Sequence, residues 1–221
     1  KVAPSFEVDP FWPKPLPNHW ILGSVIGVAV DSRDHVYIVH RTDAFQEFSE
    51  LGLKVGTSEC CTPAPPIIEF DVQGNVVNAW GGPGDGYTWP QSNHGMEIDK
   101  NGNVWIGGNG MKDSHILKFT KDGKFLQEFG IPGKEADSNS KEHFAGVAEI
   151  AIDKEANEAY IADGYRNKRV AVLDVDSGEF KRYWGAYGNK PADTKERYRH
   201  DPSKPPSKQF SSTSMESSWA N

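Results

Sequence analysis

The chain has 221 residues and a formal net charge of −7, with 37% hydrophobic and 11% aromatic residues, enough for a real core, and the ordinary 25% charged residues of one soluble domain. The acidic balance and the lack of a Lys/Arg cluster argue against nucleic acid as a partner, because phosphate binding needs a basic face. No run of 18 apolar residues occurs, so no membrane-spanning helix is expected, and two cysteines are too few for a disulfide framework.

Residues 1–22 carry Phe6-Glu-Val-Asp-Pro-Phe-Trp-Pro-Lys-Pro-Leu-Pro, whose prolines forbid a central strand but allow an extended strap that covers apolar surface with Phe11 and Trp12. The opening Lys-Val-Ala-Pro reads as a processed start, and the expectation is a secreted or periplasmic protein. A unit of four short strands then recurs three times, over about 23–82, 89–130 and 143–185. In each, apolar runs of four to six residues are separated by Asp-x-x-Gly or Asn-Gly signals that demand a left-handed residue and so mark hairpins. The corresponding aspartates Asp31, Asp99 and Asp153 lie 68 and 54 residues apart, somewhat above the roughly 40–50 of common four-stranded repeats, with loops carrying the excess. One such sheet cannot bury both its faces, so the units must stack around an axis: an all-β β-propeller with three blades, half of a six-bladed ring.

The longest loop, Thr42 to Pro66, interrupts the first blade and holds the adjacent Cys60 and Cys61, which fit either two loop thiols or a vicinal disulfide. Residues 186–221 are rich in Pro, Ser and Lys and read as an irregular tail. From about residue 213 a shifted reading frame permits Val-His-Gly-Val-Glu-Leu-Gly-Glu, a blade-opening pattern, so an out-of-frame tail and a genuine one both fit.

Function in a propeller concentrates where the innermost strands converge. The candidates there are His40, Arg41, His94, Asp163 and Tyr165. His94 opens an innermost strand as Asn-His-Gly, where Gly95 lets the backbone turn and the imidazole can enter the channel; a lone loop His is otherwise a surface or hydrogen-bonded residue, and zinc needs three or four protein ligands. Arg41 ends a Val/Ile strand, where a guanidinium can clamp a carboxylate or oxyanion, or merely form a rim salt bridge. Tyr165 stands in Asp-Gly-Tyr-Arg-Asn-Lys-Arg, braced by Asp163 and Asn167, and serves either as a general base or as a packing residue against the next blade.

At these positions the chain resembles the NHL-repeat six-bladed propellers, most closely the peptidyl-α-hydroxyglycine α-amidating lyase family. Gly23-Ser-Val-Ile-Gly-Val-Ala-Val-Asp with Val39-His40-Arg41 is similar to the segment bearing that family's catalytic Arg. His94-Gly95-Met96-Glu97-Ile98-Asp99 resembles the segment whose His is one of three zinc ligands, and Asp163-Gly164-Tyr165-Arg166-Asn167-Lys168-Arg169 the one whose Tyr is catalytic. The resemblance implies Arg41 and Tyr165 as catalytic residues, zinc on His94, and calcium on the backbone carbonyls of Val28 and Met96. The reaction it implies is C–N cleavage of a C-terminal hydroxyglycine to glyoxylate and a peptide amide. The chain departs from the family at Arg166, where the family carries a disulfide cysteine, and it lacks the later blades that bear the other two zinc histidines.

The expectation is therefore a truncated lyase relative with little activity as this fragment. A non-catalytic NHL propeller that binds a protein, peptide or small ligand is the alternative, and a lactonase-like hydrolase using Glu97, Glu149 and Asp163 is a further one. Half a ring leaves apolar blade flanks open, so self-association is expected, as a two-fold dimer that closes six blades.

Overall fold

The computed structural model describes residues 3–43, 56–134, 137–193, 201–205 and 207–209; the tail from residue 210, with the frame-shift reading, lies outside them, as does much of the Thr42–Pro66 loop. The strands in chain order are β1 (Trp20–Ile21), β2 (Ser24–Val30), β3 (Val36–Arg41), β4 (Thr62–Pro63), β5 (Ile67–Phe70) and β6 (Val76–Trp80). They continue as β7 (Asn93–Ile98), β8 (Val104–Gly108), β9 (His115–Phe119), β10 (Phe125–Gly130), β11 (Val147–Asp153), β12 (Glu158–Asp163), β13 (Arg169–Asp174) and β14 (Phe180–Trp184). A short 3-10 turn, Ala186–Gly188, follows. Three antiparallel four-stranded sheets result, β2-β3-β5-β6, β7-β8-β9-β10 and β11-β12-β13-β14, each a meander in sequence order. These are propeller blades, as the repeat demands.

The hairpin between the first two strands of each blade is closed by its aspartate. Asp31 accepts from the N–H groups of Arg33 and His35, Asp99 from those of Asn101 and Asn103, and Asp153 from those of Glu155 and Ala156. The left-handed residue of each turn is Asp34, Gly102 or Asn157 in turn. Local side-chain capture of backbone donors is what makes Asp the recurring letter of the repeat.

Blades pack face to face. Ala29, Tyr37, Val39 and Ile67 of blade one meet Met96, Ile98, Ile106, Leu117 and Phe119 of blade two. On the other side of blade two, Trp105, Ile116 and Phe129 meet Val147, Ile150, Ile161, Ala171 and Leu173 of blade three. In blade two the period-2 alternation therefore serves two different neighbours, and its middle strands β8 and β9 are buried throughout. Polar seams add to this: Trp80 Nε1 and Asn78 Nδ2 of blade one donate to the Lys121 carbonyl of blade two, and Lys118 Nζ donates to the Val175 carbonyl of blade three.

The strap runs over the free flank of blade one. Trp12, Leu16, Trp20 and Leu22 pack on Ile38, Ala64, Ile68 and Phe70, and β1 pairs in parallel with β4. The flank of β2 stays open, with Val25, Val28 and Val30 exposed. The strap uses only one of its two expected aromatic anchors. Trp12 sits 5.7 Å from the Phe70 ring, whereas Phe11 is 76% exposed, because it stands at the tip of a turn in which the Asp9 carboxylate takes its N–H and the Asp9 carbonyl that of Trp12.

Trp12→Ala is expected to lower stability by about 2 kcal/mol, less than a fully buried Trp because the ring is half-covered, while Phe11→Ala stays within about 0.5 kcal/mol of the parent. Urea unfolding of both variants checks this. Equal losses would mean that the strap is not seated through Trp12.

Candidate functional site

Each innermost strand carries a register shift near its start, between Val25 and Gly27 in β2, Asn93 and Met96 in β7, and Val147 and Glu149 in β11. A bulge leaves its extra residue out of the ladder and re-aims it. His94 and Gly95 are in the bulge of β7, and Ala148 is in that of β11. The two bulges meet: the His94 ring donates from Nδ1 to the Ala148 carbonyl at 2.6 Å. Since a carbonyl only accepts, Nδ1 carries a proton, and in the neutral imidazole Nε2 is then the acceptor. Gly95 makes this contact possible, because a Cβ there would lie 2.8 Å from the Glu149 Cα and 3.1 Å from the Ala148 oxygen.

Tyr165 reaches the same ring from blade three, its hydroxyl donating to His94 Nε2 at 2.7 Å with the rings edge to face. Arg41, at the end of β3 in blade one, donates from Nε to the Asn93 carbonyl and from Nη2 to the Asn109 side-chain oxygen, both at 3.2 Å. Three blades thus contribute one residue each to one end of the axis. The partly exposed Tyr165 and Arg41 have access to solvent there.

Two sequence candidates are structural instead. His40 is fully buried; its Nδ1 accepts from the Gly23 N–H and its Nε2 contacts the Pro65 carbonyl at 2.9 Å. Burial holds it below the ordinary imidazole range, against the raising effect of nearby backbone contacts. Asp163 is also fully buried, taking Arg169 Nε at 2.8 Å, Asn167 Nδ2 at 2.7 Å and the Ala145 N–H at 2.8 Å. It braces the Tyr165 loop and does not face the axis.

Sequence reasoning missed Asn109 and the role of Arg166. Arg166 donates from Nη1 to the carbonyls of Asn109 and Gly110 at 3.4 and 3.0 Å and from Nη2 to that of Asp113 at 3.2 Å. Where the resembled family has a cysteine, this chain ties the Tyr165 loop to blade two through a guanidinium. Cys60 and Cys61 form a vicinal disulfide in the blade-one loop.

Among the described residues, the single group of three metal-capable side chains is Asp31, His35 and Glu69, at the opposite end of the strands from His94. Its ligand atoms lie within 4.8 Å, but Arg33 occupies it, donating to Asp31 and at 2.7 Å to Glu69 Oε1. At the axis His94 has the orientation of a ligand, Nδ1–H on a carbonyl and Nε2 forward. One imidazole does not make a zinc site, and the described residues supply no second or third ligand near it. Val28 and Met96 lie on the neighbouring strands β2 and β7, but two carbonyls fall short of the six to eight oxygens calcium takes. Among the described residues, Glu97, Glu149 and Asp163 do not bring their carboxylates together in one group of three.

No family model matches the chain. It is 26% identical over 174 residues to peptidylglycine alpha-amidating monooxygenase of Rattus norvegicus, covering 74% of this chain and 16% of that one. NHL repeat-containing protein 3 of Mus musculus is 29% identical over 199 residues, covering 86% and 48%. A probable peptidyl-alpha-hydroxyglycine alpha-amidating lyase of Caenorhabditis elegans is 26% identical over 163 residues, covering 70% and 42%. The chain therefore spans less than half the length of each of these curated relatives. Among solved structures, the RRP9 WD40 repeats align at 14% identity with a TM-score of 0.47 over 76% of this chain and 40% of that one. Virginiamycin B lyase from Staphylococcus aureus aligns at 16% with a TM-score of 0.44 over 75% and 42%. The chain is an all-β array of propeller blades. It is similar in sequence to NHL-repeat proteins and to the amidating enzymes.

Glu97, on β7 near the axis, has its carboxyl pushed above the usual range by burial, with the Ile98 N–H and the Lys154 charge opposing. Between the unfolded and folded values the native state binds more protons, so this group's contribution to stability falls as pH rises through that window. Glu97→Gln is expected to be more stable than the parent near neutral pH, with the difference vanishing below the ordinary glutamate range. Urea midpoints at the two pH values read this out, and equal midpoints near neutrality would contradict it.

Proposed function

We propose that Arg41, His94 and Tyr165 form an amidating-lyase-type site that cleaves the C–N bond of a peptidyl-α-hydroxyglycine, releasing glyoxylate and a peptide amide. The observation that carries the reading is the Tyr165 hydroxyl on His94 Nε2, held by the His94 bond to Ala148, with Arg41 anchored on the adjoining Asn93. Relatives named as amidating enzymes at 26% identity support it. Arg41 pairs with the hydroxyglycine carboxylate. Tyr165 takes the proton of the substrate hydroxyl as its own proton passes to His94 Nε2. Collapse of the oxyanion to the aldehyde breaks the C–N bond, and the proton ends on the leaving amide nitrogen, so atoms and charge balance without a further reactant. Zinc, on the family resemblance, would polarise that hydroxyl; this chain offers it His94 alone, and no step here passes through it.

Glyoxylate release from a peptidyl-α-hydroxyglycine, measured with purified protein, is expected to be slow and to fall about 10²-fold or more in Tyr165→Phe. No release above the uncatalysed rate would end the lyase reading and favour the second one, a non-catalytic propeller presenting this rim to a peptide or small ligand, which the 29% identity to NHL repeat-containing protein 3 supports. The Cys60–Cys61 disulfide supports export to an oxidising compartment; no helix among the described residues is long and apolar enough to cross a membrane.

Self-association belongs to the same proposal. The open valine row of β2 is apolar surface beside the strap, and the flank of blade three of a second copy is its proposed cover. A monodisperse species at the 24.5 kDa monomer mass in light scattering would remove this part of the proposal.

A further inference from the structure

The loop between β8 and β9 touches both neighbours of blade two. Its first residue, Asn109, presents its side-chain oxygen to Arg41 Nη2 of blade one. Its backbone carbonyls at Asn109, Gly110 and Asp113 receive both terminal nitrogens of Arg166 from blade three. The loop is closed on itself by the buried Asp113, whose carboxylate takes the N–H groups of Gln91, Ser92 and Gly110, and Asn109 is further pinned by its own N–H on the Ser92 carbonyl. Arg166 directly follows Tyr165, and both are fixed to the 145–146 segment by backbone bonds, Tyr165 N–H to Gly146 and Arg166 N–H to Ala145. The Arg166 side chain therefore bridges the loop that carries Asn109 and the hairpin that carries Tyr165.

We infer that Asn109 and Arg166 are positioning residues, which couple Arg41 of blade one to the Tyr165–His94 pair of blades two and three through the 109–113 loop. This rests on the reading of that cluster as the functional site. Only a guanidinium makes the contact: its planar fork reaches three carbonyls at once, whereas an ammonium is a single point on a flexible stem. The blade cores do not depend on it, since Arg166 is half-buried at the rim and lies outside both inter-blade apolar clusters.

The test follows Arg41 itself, which Arg166 does not touch. In the ¹⁵N-labelled full chain, the side-chain Nε–H signal of Arg41, assigned by its loss in Arg41→Lys, is slowed in exchange with water by its bond to Asn93. Arg166→Met and Asn109→Leu are each expected to speed that exchange about tenfold, the scale of one lost hydrogen bond, with the backbone amide spectrum retained. Arg166→Lys should fall between, and Asn109→Asp, which keeps the acceptor, should restore protection. Unchanged exchange in both Arg166→Met and Asn109→Leu overturns the inference whatever the activity. With a peptidyl-α-hydroxyglycine as probe, the same two variants are expected to lose about 10–100-fold in kcat/KM while Asn109→Asp keeps most of it. If the parent shows no turnover but Arg41 exchange responds, the relay stands and the lyase reading alone fails. Turnover in the parent with an unresponsive Arg41 removes the relay alone.

Discussion

The close approach of the innermost strands is the constraint on which the site depends. β2, β7 and β11 stand side by side at the axis, and at Gly95 the backbone of β11 is so near that no side chain fits between them. Such contact would leave carbonyls and N–H groups at the strand starts in conflict with their own ladders. The bulges resolve it by freeing Ile26 in β2, His94 and Gly95 in β7 and Ala148 in β11 from pairing, and the freed Ala148 carbonyl becomes the acceptor for His94. Ring orientation, tautomer and the reach to Tyr165 all follow from that single backbone arrangement.

The rim above the strands is built differently in adjacent blades for the same purpose. Blade three places Asp163 at the end of β12 and neutralises it with Arg169, whose remaining nitrogens reach the carbonyls of Ser138, Ser140 and His143. Aromatic faces of Phe144, Phe180 and Tyr183 surround that guanidinium. Blade two has Gly108 at the end of β8, and the Asp113 carboxylate fills the space a side chain there would take. A buried ion pair fully supplied with hydrogen bonds adds little net stability but is costly to break, so the Asp163–Arg169 pair fixes loop geometry more than it deepens the fold, and Asp113 fixes its loop through three backbone N–H groups. Tyr165 can stand exposed because the hairpin under it is held in this way.

What the sequence made legible was what is written in local chemistry. The turn aspartates and left-handed tips mark each hairpin, so the blades and their order could be read, and the Asn-His-Gly triplet pointed to His94. Burial was not legible: His40 and Arg41 are adjacent letters, yet one is sealed against Pro65 and the other lies at the rim, because alternation along β3 sends them to opposite faces. The bracing role of Asp163 was legible, whereas the exposure of Phe11 was not. Asn109 left no mark, and Arg166 showed only as a departure from the resembled family, since their contacts run through a loop whose course no residue type announces. The vicinal disulfide was an open alternative that composition could not decide.

The tautomer of His94 sets what the site can do. With Nδ1–H committed to Ala148, Nε2 of the neutral ring is an acceptor, and the Tyr165 hydroxyl lies on it. With a neutral imidazole the ring is therefore aligned to draw a proton from the phenol, which is the step the proposed reading uses. The same lone pair is the one a metal would use, so proton acceptance and metal ligation compete for one atom, and a cation seated there would turn the Tyr165 hydroxyl toward a substrate instead of toward the ring. Arg41, held on the Asn93 carbonyl and the Asn109 side chain, brings a positive charge to the same rim, and under the proposed reading a substrate carboxylate is the group it would pair with.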